Sequence, residues 1–288
     1  MAWDTASYGA APPRGRVSYD PPMSIATTRF VAGADRFAAL HATSLPQVDE
    51  LCGCFQAHLA LRLAGFDVDQ EDVALKAGST QSPSRYRDGL PAGETGREAR
   101  CDFPVTDEVR SGTAPAGLVR AVNEIGAGTV AAVPIGGPFT PATVRAVLDI
   151  ACAASAPVTL AANVATGPFW GSHPTAPQIL AYLASGDDAV GPAPDWEVGH
   201  FVTLLGTIEG AAGTLVVVAD TYPSLGLGAV HLQPVERVAA ALRRETFPGD
   251  GGIVAIVAAD EEAALRDRLI DAGLELRVWD NGSTDSGT

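Results

Sequence analysis

Two cysteines separated by one glycine lie where a polar segment gives way to an apolar run, in LPQVDELCGCFQAHLALRLAGF, residues 45–66. After Cys52 the apolar residues Phe55, Leu59 and Leu63 recur every four positions, which predicts one stripe of a helix. Cys52 therefore lies at or just before a helix N-terminus, where unsatisfied N–H groups and the helix dipole favour a thiolate. Because the thiolate is the form that attacks carbonyl carbons, this position predicts a nucleophile for acyl transfer.

The same thiols have other interpretations. Free cysteines are often inert packing residues, and Cys54 is an alternative nucleophile one step further along the helix. A zinc site is disfavoured because Cys101 and Cys152 lie 47 and 98 residues beyond Cys54, which is not zinc-ligand spacing. Because of this spacing we expect no metal, and we expect no cofactor either. Gly53 lets the backbone turn closely beside Cys52.

A catalytic thiolate needs an imidazole partner and a third group that orients the ring. His200 begins the first strand of a predicted hairpin, GHFVTLLGTI, and Asp220 ends the second, TLVVVAD. Both are ten positions from Gly210 in the turn, so symmetrical pairing predicts directly opposed side chains with Cβ atoms roughly 4.5–5.5 Å apart. A hairpin with ordinary polar ends is the alternative. The other histidines lie in contexts that do not distinguish them, namely His41, His58, His173 and His231.

This order of features resembles the papain-like cysteine peptidases, and within them the bacterial double-glycine leader peptidases of bacteriocin exporters. The resemblance covers about residues 45–66 and 195–223. Its motifs are Gln47, Cys52-Gly53 opening a helix, Gly199-His200 opening a hairpin, and Asp220-Thr-Tyr-Pro closing it.

The resemblance implies Cys52 as the nucleophile, His200 as the general base and acid, and Asp220 as the group that orients the imidazole. It also implies that Gln47 donates its side-chain amide to the oxyanion, beside the backbone N–H of Cys52. Cys54-Phe55 imitates, with one residue fewer, the Cys-Gly-x-Cys-aromatic signature of another branch, which keeps Cys54 as the alternative nucleophile.

The implied fold is α+β and papain-like, with a helix carrying the cysteine packed on an antiparallel sheet that carries the histidine and aspartate. The helix TPATVRAVLDIACAASA is predicted separately, from Thr140 as its cap and Pro141 at its first position. The predicted organisation is a flexible arm (1–22), one domain (23–280) with an irregular insertion (78–117) and a C-terminal strand-helix-strand unit (251–279), and a disordered tail (281–288).

The chain carries 34 acidic and 19 basic residues, a formal charge of −15, which repels phosphate backbones and anionic lipid. We therefore expect neither nucleic-acid nor membrane binding. The N-terminus lacks an apolar signal segment, so we expect a cytoplasmic protein with reduced thiols. The aromatic residues Phe169, Trp170 and Trp196 are candidates for one wall of a substrate groove. The further substrate-contact candidates are Gly53, Cys54 and Gly199.

Together these patterns predict a cysteine-dependent hydrolase or acyltransferase that acts on a peptide, small amide or thioester carbonyl, in selective peptide processing or tailoring. One alternative is a catalytically silent papain-like scaffold that binds a peptide. Another is a structural protein with buried thiols.

Overall fold

A computed structural model of the protein describes residues 26–84, 89–245 and 247–287. The predicted arm, residues 1–22, lies outside these ranges. Within the described residues there are eight α-helices and seven strands, which confirms the α+β class. The helices are α1 (Ala34–Ser44), α2 (Cys52–Leu63), α3 (Gln70–Ala77), α4 (Pro115–Gly126), α5 (Pro141–Cys152), α6 (Ala176–Ser185), α7 (Val235–Arg243) and α8 (Glu262–Asp271).

The described strands form one open sheet in the order β2-β7-β3-β4-β5-β6, and β1 pairs with the distal half of β4. Every pairing is antiparallel. The strands are β1 (Thr27–Phe30), β2 (Val130–Ile135), β3 (Thr159–Ala165), β4 (Gly199–Glu209), β5 (Thr214–Ala219), β6 (Val230–Pro234) and β7 (Gly252–Ala258).

Helices cover both faces of the sheet, and for this reason β2 and β3 are buried along their whole length and mostly apolar. Alternate residues of a strand point to opposite faces, so Ala132 packs in the core with α2, α3 and α4, whereas Val133 packs with α5, α7 and α8. The helix α2 contributes to both cores. Phe55 and Leu59 pack in the core with α5, α7 and α8, and Leu61 packs in the core with α3 and α4. This packing holds the N-terminus of α2 against the sheet.

The sequence signals for α5 are confirmed. The Thr140 hydroxyl accepts from the Thr143 N–H at 3.1 Å, Thr143 bonds back to the Thr140 N–H, and Pro141 occupies the first helical position. Such a capping box satisfies N–H groups that a helix leaves free at its start.

The β4–β5 hairpin has the predicted strands but a different register. Leu204 pairs with Val218, whereas symmetry about the turn would pair it with Val216. A longer turn and a β-bulge just after Leu204 produce this shift of two positions. Because the shift is even, His200 and Asp220 remain on one face as diagonal neighbours, so the prediction of directly opposed positions is wrong while their contact survives.

The C-terminal unit differs from the predicted strand-helix-strand. Its strand β7 lies inside the sheet, between β2 and β3. The helix α8 follows, but residues 274–279 form no strand. Two backbone hydrogen bonds instead hold this segment to the residues directly after β2. Gly136 donates to the Glu275 carbonyl at 2.8 Å, and Glu275 donates to Gly137 at 2.6 Å.

The predicted disorder of residues 281–288 is not what the structure has over 281–287. Thr284 and Ser286 donate backbone N–H groups to the carbonyls of Arg110 and Gly78, at 2.8 and 3.1 Å. Asp285 forms an ion pair with Arg120 of α4, with a distance of 2.8 Å between Oδ1 and Nη2. The polar composition of the tail suggested disorder, but its partners lie on other segments that composition does not reveal.

The insertion is irregular where it is described, with isolated bridges joining Thr80 to Gly112 and Gln81 to Val105. It ends earlier than predicted, because α4 already begins at Pro115.

Candidate functional site

Cys52 is the first residue of α2 and lines a cavity of about 260 Å³. Its side chain is partly exposed, and its N-cap neighbour Leu51 offers no side-chain bond to the helix N-terminus. The first N–H groups of a helix lack intrahelical acceptors, so they lie free to stabilise negative charge at this end. The predicted apolar stripe of this helix is buried, which orients Cys52 toward the cavity side.

Cys54 occupies a different environment. It is fully buried, and its sulfur lies 3.3 Å from both the Ser79 and the Thr113 hydroxyl oxygens. Burial raises the pKa of the Cys54 thiol to about 11. Cys54 does not line the cavity, so the geometry favours Cys52 over the alternative nucleophile.

We expect Cys54 to resist alkylation in the native protein. The substitution Cys54→Ala should leave the iodoacetamide-labelled sites unchanged, and it should lower the free energy of unfolding by about 1–2 kcal/mol through lost packing. Peptide mapping after native labelling and urea denaturation measure the two effects. Labelling of native wild-type Cys54 at a rate comparable with Cys52 would contradict this assignment.

Gly53, between the two thiols, packs against an aromatic ring rather than against the cavity. A Cβ at this position would lie 3.1 Å from a ring carbon of Phe201. Gly53 therefore allows α2 to approach β4 closely and brings Cys52 toward the strand that begins with His200.

His200 and Asp220 form a buried pair, with Nε2 of the imidazole 3.0 Å from Oδ1 of the carboxylate. The Thr221 N–H also donates to this oxygen, at 2.6 Å. Because Nε2 is bound to Asp220, Nδ1 is the ring nitrogen that remains for Cys52. Asp220 therefore fixes the orientation of the ring, as expected of a third catalytic group.

The charges of this pair reinforce each other. Burial opposes the imidazolium, but the Asp220 carboxylate and the neighbouring Cys52 outweigh it and raise the pKa of His200 to about 10. Burial likewise opposes the carboxylate, yet His200 and His231 hold the pKa of Asp220 well below its usual range. At neutral pH the site thus holds a carboxylate and an imidazolium beside the thiol.

His231 is a member of the cluster that sequence reasoning missed. Its Nε2 lies 3.3 Å from the second carboxylate oxygen of Asp220. The Gln233 amide lies 3.0 Å from Nδ1 of His231 and exchanges two bonds with the backbone of Trp170, of 2.7 and 2.9 Å. Because the amide donates to Nδ1, the proton of a neutral His231 resides on Nε2 and points to Asp220. The alternating polar residues of VHLQP, which share one strand face, were the available signal.

Gln47 lines the cavity together with Cys52. Its Nε2 donates to the Tyr222 hydroxyl at 2.9 Å, and its backbone N–H donates to Thr221 at 3.1 Å. An amide nitrogen carries two hydrogens, so one remains for a further acceptor. Gln47 Oε1 has no hydrogen-bond partner among the described residues.

Besides Gly53 and Cys54, which do not line the cavity, the predicted substrate-contact residues divide into two groups. Trp196 and Gly199 line the cavity, and the Trp196 ring lies 4.8 Å from the His200 ring, centroid to centroid. Phe169 and Trp170 do not reach the cavity, in contrast to the prediction. They are buried behind Asp220, where Phe169 packs against His231 and Trp170 against a tyrosine of α6.

The remaining walls come from segments without a sequence signal for the site. The insertion contributes one wall, and its Gly89 carbonyl accepts from the Trp196 indole at 2.7 Å. The tail contributes Asn281 and Ser283, and the segment after α7 contributes Arg244. Irregular segments thus close the cavity around Cys52 and His200, which are held by regular elements.

Within the described ranges, no group of three or more His, Cys, Asp or Glu side chains is arranged to hold a metal ion. None of the helices there has the length and apolar character needed to cross a membrane.

No curated protein and no solved structure shows significant similarity to the chain. Residues 31–280 match DUF6885, a family of unknown function. Because the match spans most of the chain and includes every residue of the site described above except Asn281 and Ser283, the protein belongs to the DUF6885 family.

Proposed function

We propose that this protein is a cysteine-dependent hydrolase or acyltransferase that acts on a peptide, amide or thioester carbonyl through Cys52, His200 and Asp220. The observation that carries the proposal is that Cys52 and His200 line the same cavity and interact with each other, while Asp220 binds the His200 imidazole from behind the cavity wall. The arrangement of a helix-borne cysteine against a sheet-borne histidine and aspartate supports a papain-like site.

In this mechanism the His200 imidazolium and the Cys52 thiolate form an ion pair before substrate arrives. The thiolate attacks the carbonyl carbon, and the imidazolium then donates its Nδ1 proton to the leaving group as the acyl-enzyme forms. Asp220 keeps the ring in place and stabilises its charge. The acyl group leaves when water, or another acceptor activated by His200, attacks the thioester.

The oxyanion of the tetrahedral intermediate needs hydrogen-bond donors that are oriented in advance. Two are suitably placed: the backbone N–H of Cys52 at the start of α2, and the second amide hydrogen of Gln47. Tyr222 holds the Gln47 amide in position through their hydrogen bond.

The cavity favours selective processing over digestion. At about 260 Å³ it has the size of a small ligand pocket, and walls from the insertion and the tail enclose it. A small amide or the end of a peptide fits such a space, whereas a protease of broad specificity needs a long open groove.

An acylation burst tests the proposal. Mixing the protein with p-nitrophenyl acetate should release nitrophenolate in a rapid phase stoichiometric with protein, and mass spectrometry should find the acetyl group on Cys52. The variants Cys52→Ala and His200→Asn should lose the burst, whereas the matched thiol control Cys54→Ala should keep it.

The outcomes separate the alternatives. A burst that survives Cys52→Ala would overturn the assignment of the nucleophile. A reactive Cys52 that is never acylated would favour the silent peptide-binding scaffold.

His231 should act as a positioning residue. The substitution His231→Phe keeps a ring but removes one hydrogen bond to the Asp220 carboxylate, so we expect acylation to slow about 3- to 30-fold with the pH profile shifted, and stability to fall by about 1–3 kcal/mol. His231→Gln, which can keep a donor, should recover part of the rate. An unchanged pH profile with lost stability alone would indicate a purely structural role.

A further inference from the structure

Arg244 is a buried arginine directly after α7, and it lines the same cavity as Cys52 and His200. Its guanidinium donates to three backbone carbonyl oxygens: those of Val164 at 3.2 Å, Pro248 at 2.7 Å and Asn281 at 3.2 Å. These acceptors are neutral, so they satisfy N–H groups without balancing the positive charge.

No carboxylate in the described part of the chain forms an ion pair with Arg244, and its Nε has no hydrogen-bond partner there. Burial lowers the pKa of Arg244 to about 10, so the side chain is still cationic at neutral pH. A buried charge is normally paired, because its removal from water is costly. The Phe247 ring centroid lies 4.9 Å from the guanidinium carbon, and Asp250 and Cys52 act on the charge without a hydrogen bond to it. Among the described residues, the cation at the cavity wall therefore has no carboxylate within ion-pair distance.

The sheet register places this cation beside the catalytic histidine. Val164, whose carbonyl Arg244 binds, is the residue on β3 that pairs with His200 on β4. A Cβ at Gly199, next to His200 in the chain, would lie 3.1 Å from Nη1 of Arg244. Glycine at position 199 thus leaves room between the backbone and the guanidinium.

We propose that Arg244 binds a carboxylate of the substrate, so that the acyl donor or acceptor is a peptide or small amide with a free carboxyl group. The proposal rests on the proposed function of Cys52, since it names the substrate class of the same cavity. A guanidinium binds a carboxylate through charge-assisted hydrogen bonds, and the low-polarity surroundings strengthen them.

A single carboxylate fits the charges of the cavity better than a phosphate group does. Arg244 is the only arginine or lysine among the described residues that line it. The acidic residues Asp49, Glu50, Glu108 and Glu197 line other parts of the wall, and they repel a ligand of higher negative charge more strongly than a single carboxylate.

Paired alkylating reagents test this inference on the intact protein. Iodoacetate and iodoacetamide differ only in a carboxylate and an amide, and iodoacetylglycine and iodoacetylglycinamide place the same difference further from the reactive carbon. The measured quantity is the ratio of the Cys52 alkylation rate with the carboxylate reagent to the rate with its amide partner. In at least one pair, this ratio should be about tenfold higher in the wild type than in Arg244→Gln. The ratio cancels any general effect of Arg244 on the thiolate. Arg268→Gln, which removes an exposed arginine of α8, is the matched control and should keep the wild-type ratio.

Each outcome decides the inference. A ratio that is equal in wild type and Arg244→Gln for both pairs overturns it, while normal iodoacetamide labelling in the same samples leaves the proposed function standing. Failure of Cys52 to react with any reagent overturns both. If Arg244→Gln does not fold, Arg244→Lys replaces it, and a protection experiment on the wild type is added. N-acetylglycine should slow the iodoacetamide labelling of wild-type Cys52 more than N-acetylglycinamide does. Equal protection by the two compounds would also overturn the inference.

Discussion

Iodoacetamide should alkylate Cys52 at pH 6 within about threefold of its rate at pH 8.5. An ordinary thiol, with a pKa of about 8.5, has about 160-fold less thiolate at pH 6 than at pH 8.5. The difference follows from His200, whose pKa is raised to about 10 by Asp220 and by Cys52 itself. Below that pH the ring is an imidazolium, and its positive charge stabilises the adjacent thiolate.

The variant His200→Asn should restore ordinary thiol behaviour and reduce the rate at pH 6 by about two orders of magnitude, with a smaller change at pH 8.5. Cys152 serves as an internal control in the same samples, because burial raises the pKa of its thiol and no histidine bonds to it. Stopped labelling followed by peptide mass spectrometry gives both rates. A wild-type profile for Cys52 that falls tenfold per pH unit below pH 8 would refute the ion pair and, with it, the catalytic proposal.

Asp220→Asn should destabilise the protein by about 3–5 kcal/mol near pH 5–6, because it removes one partner of a buried, hydrogen-bonded charge cluster. His200 and His231 would then have no carboxylate to accept from them. The His200 ring would lose its main source of raised pKa, so Cys52 labelling at pH 6 should fall as it does in His200→Asn.

The pH dependence of this loss has a definite sign at each end. The pKa of His200 is raised from 6.5 to about 10, so its contribution is complete below pH 6.5 and is lost as pH rises toward 10. The pKa of Asp220 is lowered from 3.8, so its contribution is complete above about pH 4 and is lost as pH falls further. The difference in unfolding free energy between wild type and Asp220→Asn should therefore be largest between these limits.

Urea denaturation of both proteins across this pH range measures the effect. Asp267→Asn, at an exposed position of α8, is the matched control and should change stability by less than about 0.5 kcal/mol. A difference for Asp220→Asn that does not depend on pH would mean that the cluster is not charged in the way described.

The helix signal and the position of Cys52 at the helix start could be read from the sequence because both are local. Four-residue spacing after Cys52 defined the buried face of α2, and the helix begins at Cys52 in the structure. The His200–Asp220 contact was predictable from one hairpin, since strand pairing brings its two ends together. Its register was not, because a bulge and the turn length depend on packing against neighbouring strands.

The choice between the two thiols needed the tertiary structure. Cys52 and Cys54 have the same local signal, and only the segments that carry Ser79 and Thr113 enclose Cys54 while leaving Cys52 at the cavity. The central position of β7 likewise depends on pairing with strands about 90 to 130 residues earlier in the chain.

The sequence by itself determined the helix start at Cys52 and the pairing of His200 with a carboxylate, because short-range periodicity and turns encode them, and the family resemblance implied the α+β class. Only the tertiary structure decided that His231 shares Asp220, that Arg244 lies at the cavity wall without an ion-pair partner among the described residues, and that the tail packs against the insertion. These features depend on charges and hydrogen-bond partners from segments far apart in the chain. Their effects arise only when folding removes them from water and brings them within a few ångströms of one another.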